Sequence, residues 1–89
     1  MNLNPSLVQI RRSYTSKWSG LALSVEAGAQ GWTASVNDPG RHSHLYTAHR
    51  FSAEAAKVAA VEFAVLLGIA KESRAPEQLA RELTWTSGW

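Results

Sequence analysis

Leu21-Ala-Leu-Ser-Val-Glu-Ala27, Gly28-Ala-Gln-Gly31 and Trp32-Thr-Ala-Ser-Val36 form two alternating runs separated by a glycine-bounded turn. In the first run Leu21, Leu23, Val25 and Ala27 share one face, and Ala22, Ser24 and Glu26 share the other. That two-residue period belongs to a half-buried strand. Trp32, Ala34 and Val36 repeat it, with Thr33 and Ser35 on the opposite face. The turn between the runs makes them an antiparallel hairpin.

Reading outward, Asn37, Asp38, Pro39 and Gly40 are a dense turn signal, because Pro presets φ and Gly accepts a positive φ. A third strand is expected over His42 to Arg50. Upstream, Val8, Ile10, Arg12 and Tyr14 alternate within Leu7 to Tyr14 and allow a fourth. Downstream, Ser52 can cap a helix over Ala53 to Leu67, with Glu54 in its first turn suiting the macrodipole. Phe51 stands where a hydrophobic staple would. Gly68 and Ile69 fit the left-handed C′ position and the apolar C″ position of a helix stop. Pro76, Glu77, Leu79 and Leu83 mark a second, short helix, and Thr84 to Trp89 is a Trp-bearing tail. The expected fold is α+β: an antiparallel three- or four-stranded sheet packed on one main helix, plus a short C-terminal helix, in a single domain over residues 1–89.

The chain has 89 residues, 45% of them hydrophobic, in the range where one core forms. Four Trp, two Phe and two Tyr supply large buried surfaces. There are no cysteines, which excludes disulfides, thiolate metal sites and Cys nucleophiles. The first twelve residues lack the apolar stretch of a signal peptide, and the longest apolar run, Phe63 to Ala70, is too short to span a bilayer. A cytoplasmic location is the resulting expectation. The formal net charge of +2 is spread along the chain and is not a concentrated footprint.

The run Trp32-Thr-Ala-Ser-Val-Asn-Asp-Pro, then Tyr46, Ala48 and Phe51, then Ser52-Ala-Glu-Ala-Ala56, resembles the core of the plant AP2/ERF DNA-binding domain over about residues 21–65. The resemblance implies a three-stranded antiparallel sheet packed on one helix, with an outward sheet face that reads the major groove through Arg and Trp. The positions matching that face here are Ser35, Asn37, Leu45 and Thr47, and the strand Leu21 to Ala27 carries no basic residue. The same order of elements is shared by integrase arm-binding and HicB-like antitoxin domains. The composition is similar to that of small proteins from GC-rich bacteria such as Burkholderia.

His42, His44 and His49 are the three histidines. On a regular strand His42 and His44 share a face and His49 points to the other, which leaves a two-His pair short of the ligands zinc needs, so no metal site is expected. No Ser-His-Asp spacing, phosphate loop or paired-carboxylate motif is visible, and the expectation is a protein without catalytic residues or cofactors and without an evident small-molecule substrate.

Two binding surfaces follow from the pattern. On the helical wheel Phe63 and Leu67 lie on one side and Val58, Val61, Val65 and Ile69 on the other, more apolar surface than one sheet can cover. The second helix and the Trp85 and Trp89 tail are the nearest covers. What they leave exposed, with Glu62 at its edge, is the expected contact surface for a protein partner or a second copy: Val61, Glu62, Val65, Ile69, Trp85 and Trp89. The alternative is nucleic-acid binding by Arg11, Arg12, Lys17 and Trp18, joined by Arg41 and Arg50. The leading expectation is a small non-enzymatic interaction module that acts through protein contacts.

Overall fold

The computed structural model describes residues 12–67 and 72–88. These form β1 (Ser13–Trp18), β2 (Leu21–Gly28), β3 (Gly31–Asp38), β4 (Ser43–Arg50), helix α1 (Ala53–Leu66), helix α2 (Pro76–Glu82) and β5 (Thr86–Gly88). The strands build one antiparallel sheet in the order β4-β3-β2-β1-β5. α1 packs on β2, β3 and β4, and α2 packs on α1. The architecture is α+β, with one main helix on the sheet and a short C-terminal helix.

The hairpin over β2 and β3 has the expected register, Leu23 opposite Val36 and Val25 opposite Ala34, and all four side chains are buried. Gly31 closes it at φ +133, where an added Cβ would lie 2.5 Å from the Arg50 carbonyl oxygen. The backbone of β4 passes too close there for any side chain. A second tight turn, Ser19 at φ 53 and Gly20 at φ 81, joins β1 to β2 with the two positive φ values that match the strand twist.

The sheet has five strands where three or four were expected. The N-terminal strand begins at Ser13, so the alternation from Leu7 overlaps it only at its last two residues, and positions 7–11 lie outside the described residues. Thr86–Gly88 is the fifth strand and pairs with Ser13–Thr15. Three residues without an apolar member carry no periodic signal. The third predicted strand starts one residue later, because His42 sits in the turn at φ 53.

Ser52 caps α1 by accepting from the Ala55 N–H at 3.1 Å. Phe51 does not act as a staple: it is 95% exposed. The helix stop expected from Gly68 and Ile69 lies outside the described residues.

The core takes its volume from Leu21, Leu23, Val25 and Val36 of the sheet and Leu79 of α2, while α1 contributes Ala56, Ala59, Ala60, Val61 and Ala64. Alanines at 56, 60 and 64 recur one turn apart, so a ridge of small side chains meets the sheet. Ser16 is the buried polar residue among those described, and its hydroxyl donates to the Thr84 carbonyl at 2.8 Å. That bond ties β1 to the link between α2 and β5.

Two substitutions test this packing in urea unfolding. Gly31→Ala, forced into positive φ and against the Arg50 carbonyl, is expected to destabilise by more than about 1 kcal/mol. Leu79→Ala, which empties the contact between α2 and the core, is expected to cost about 2–5 kcal/mol.

Candidate functional site

α1 is apolar around most of its circumference. Its sheet-facing side is covered by β2, β3 and β4, and α2 covers a second side with fully buried Leu79 and nearly buried Ala80. Leu83 and Trp85 pack against the same core cluster, as do Val58 and Val65 of α1. The Trp85 indole N–H donates to the Ala80 carbonyl at 2.8 Å, and Lys57 Nζ stands 4.4 Å from the Tyr14 ring centroid and 5.3 Å from that of Trp85. A cation held between two aromatic faces fastens the tail across α1.

The cover stops short at the C-terminal end of α1. Leu66 is 82% exposed and Leu67 39%. Beside them a cleft of about 340 Å³ is lined by Tyr46, Ala59, Glu62, Phe63, Val65, Leu66 and Pro76. Tyr46 of β4 and Phe63 of α1 stack at 4.3 Å with nearly parallel rings and form one of its walls. Leu66 and this cleft are exposed apolar surface at the same end of the helix.

Of the residues expected to meet a partner, Glu62 and Val65 line this cleft. Val61 does not: it is 1% exposed and belongs to the core, because α2 closes over the side of α1 that the helical wheel alone leaves bare. Trp85 is half-buried in a separate groove between α1 and α2, lined also by Lys57, Val58, Ala80 and Arg81. Ile69 and Trp89 lie outside the described residues. Leu66, Phe63, Tyr46 and Pro76 also line it, and none of them was among the residues expected to contact a partner. Tyr46 and Pro76 reach it from other elements, which no pattern along one helix reveals.

The cations expected to meet nucleic acid are divided. Arg12, whose carbonyl accepts from the Ala27 N–H, and Arg50, paired with Trp32, lie at the end of the sheet where β2 turns into β3. Lys17, Trp18 and Arg41 lie at the other end, by the β1–β2 and β3–β4 turns. Eight-residue strands separate the two groups by about 25 Å. Trp18 is half-buried against the core cluster, and its indole is near enough to the Glu72 carboxyl to help lower it. Arg11 lies outside the described residues.

The histidines are arranged differently from a regular strand. A bulge at Val36 and Asn37 sets Tyr46 opposite Val36 and His44 opposite Asn37, so Leu45 is the extra residue. The insertion puts His44 and His49 on the same face, away from the helices. There His44 Nδ1 lies 3.0 Å from Asn37 Oδ1 and its Nε2 meets the Thr47 hydroxyl, while His49 Nδ1 lies 3.1 Å from Thr33 Oγ1. His42, in the turn, is apart from both.

An ion-pair clamp at the base of α2 went unmarked in the sequence. Arg74 grips Glu72 through two bonds, Nε to Oε2 at 2.6 Å and Nη2 to Oε1 at 2.8 Å, and its Nη1 reaches Glu82 Oε1 at 2.7 Å. The Arg74 N–H also donates to Glu72 Oε2 at 2.9 Å. These bonds, with a small contribution from the nearby Trp18 indole, hold the Glu72 carboxyl at about 2. Glu82 is lowered too, by Arg74 and then by Gln78, and the guanidinium of Arg74 is raised above its ordinary value by both carboxylates. The clamp joins the segment before α2 to the last turn of α2. Its sequence signal was two opposite charges two residues apart, which any solvated loop also shows.

Fold and surface together define a small α+β domain with a half-covered helix and an apolar cleft at one end of it. Comparison with family models, with curated proteins and with solved structures gives no match. No helix among the described residues is long and apolar enough to cross a membrane.

The clamp makes stability depend on acid. A carboxyl depressed in the folded state contributes its full share above its unfolded pKa, near 4.3 for Glu, and loses it as the pH falls through the folded value. The thermal unfolding midpoint is therefore expected to fall as the pH drops from about 4.5 toward about 2. Glu72→Gln should flatten that part of the profile and lower the midpoint at neutral pH.

Proposed function

We propose that this chain is a non-enzymatic interaction module whose contact surface for a protein partner is the cleft at the C-terminal end of α1. The observation that carries this reading is Leu66, 82% exposed on the rim of a cleft walled by stacked Tyr46 and Phe63. A domain of 89 residues has little apolar surface to spare from its core. Leaving a leucine and the flank of a phenylalanine uncovered forgoes burial worth about 25 cal/mol per Å². A partner that closes the cleft recovers it. Glu62 on the same lining adds a charged rim to the apolar centre, the arrangement common at protein interfaces.

Nucleic-acid binding remains the second reading, and the division of Arg12 and Arg50 from Lys17 and Arg41 weighs against it. The positions that the AP2/ERF resemblance assigns to base reading include Ser35, Asn37 and Thr47. Ser and Thr hydroxyls contact bases but lack the forked cation that pairs with guanine.

Leu66→Glu separates the two readings. Because the side chain is exposed, the variant should keep wild-type stability within about 0.5 kcal/mol. Proteins captured from a lysate by the wild type are expected to fall away from the variant and to persist between about 50 and about 200 mM salt. Capture that ignores Leu66→Glu and collapses across that salt range would favour nucleic acid.

A further inference from the structure

The two edges of the sheet are unlike. β5 ends one side with three residues, the short edge by which native sheets avoid unwanted pairing. Among the described residues β4 ends the other with eight, Ser43–Arg50, and contains neither Pro nor Lys. The Arg50 carbonyl faces Gly31 of β3. Alternation along the strand then turns the N–H and C=O groups of Thr47 and His49 away from the sheet. The His49 carbonyl accepts from Arg50 Nη1 of its own chain at 2.7 Å, as an outward carbonyl at an open edge would.

This edge is polar on one face and apolar on the other, with an arginine near each end. From the β3–β4 turn to the end of β4 the chain carries Arg41, His42, His44, His49 and Arg50 and no carboxylate. The nearest acid in sequence, Asp38, lies 3.8 Å from Arg41. His44, Thr47 and His49 occupy the face away from the helices, and Tyr46 points to the helix side, into the cleft. A strand added outside β4 would run about 4.8 Å from it and would send alternate side chains to those two faces.

We propose that β4 is a docking edge for an extended, acidic segment of another protein, which adds to the sheet as a sixth strand. Its main chain pairs with Thr47 and His49, and its apolar side chains pack beside Tyr46, Phe63 and Leu66. Polar side chains on its other face lie along His44 and His49, and carboxylates toward its two ends meet Arg41 and Arg50. This is strand addition, in which main-chain bonds supply affinity and alternate side chains supply specificity. Charge chooses the occupant. A second copy of β4 would bring Arg41, Arg50 and no carboxylate against the same set, whereas an acidic strand meets a cation at each end of the edge. The inference rests on the reading of the chain as a protein-binding module and names the partner's chemistry and its mode of attachment.

The test is selection of a random decapeptide display library on the whole chain, followed by binding of the selected peptides in solution. Enriched sequences are expected to alternate polar with apolar residues and to carry Asp or Glu toward both ends. Thr47→Pro removes an outward N–H and leaves the β3 ladder intact, and it should weaken binding at least about tenfold, the loss of roughly 1.4 kcal/mol. If that variant does not fold, methylating alternate peptide nitrogens on the selected ligand asks the same question of the wild type, with the same loss expected. Peptides that bind but tolerate both changes overturn the edge and leave the cleft as the contact surface. Selection of basic sequences, or of none, overturns the acidic strand. A dimer of the chain in sedimentation that Thr47→Pro abolishes would put a second copy in its place. Failure of the module reading itself is registered separately, by capture indifferent to Leu66→Glu.

Discussion

The organisation of this domain depends on the burial of α1, whose apolar surface is wider than one sheet can cover. The sheet-facing ridge of Ala56, Ala60 and Ala64 is small enough to lie directly on β2, β3 and β4. A second side, with Val58, Val61 and Val65, requires another layer. α2, the Trp85 tail and the short strand β5 form a continuous arm that crosses α1 and returns to the sheet beside β1. Each fastening of that arm is directional. The Ser16 hydroxyl takes the Thr84 carbonyl, the Trp85 indole takes the Ala80 carbonyl, and Lys57 sits between Tyr14 and Trp85. Apolar burial supplies the drive, and these polar contacts select one placement of the arm among many that would hide similar area.

The Arg74 clamp belongs to the same task. A seven-residue helix is too short to hold its shape through its own hydrogen bonds. Arg74 connects Glu72 at its entry to Glu82 in its last turn. The arm is thus braced at both ends of α2, whereas the C-terminal end of α1 is left with Leu66 and Leu67 exposed. The cleft is what this division leaves open. Its wall includes Tyr46 of β4, so the exposed helix end and the outer strand of the described sheet are neighbouring features of one surface.

Alternation in residues 21–27 and 32–36 and the Ser52 cap determined the β2–β3 hairpin, the start of α1 and the α+β class, because strand period and helix capping are local properties. Local signals also sufficed to place α2, where Pro76 opens the helix and Leu79 fixes its buried face. β5 was invisible, since Thr86–Gly88 becomes a strand only when β1 is there to pair with it. The exchange of histidine faces was equally hidden, because a bulge reverses the parity of every residue beyond it and is set by the partner strand. Of the cleft lining, Glu62 and Val65 were legible from the helix alone. Val61 was misplaced, and Tyr46 and Pro76 were missed. The sequence by itself determined which side chains needed burial; tertiary structure decided which of them obtained it, because cover over α1 comes from an arm positioned by contacts as remote as Ser16 and Thr84.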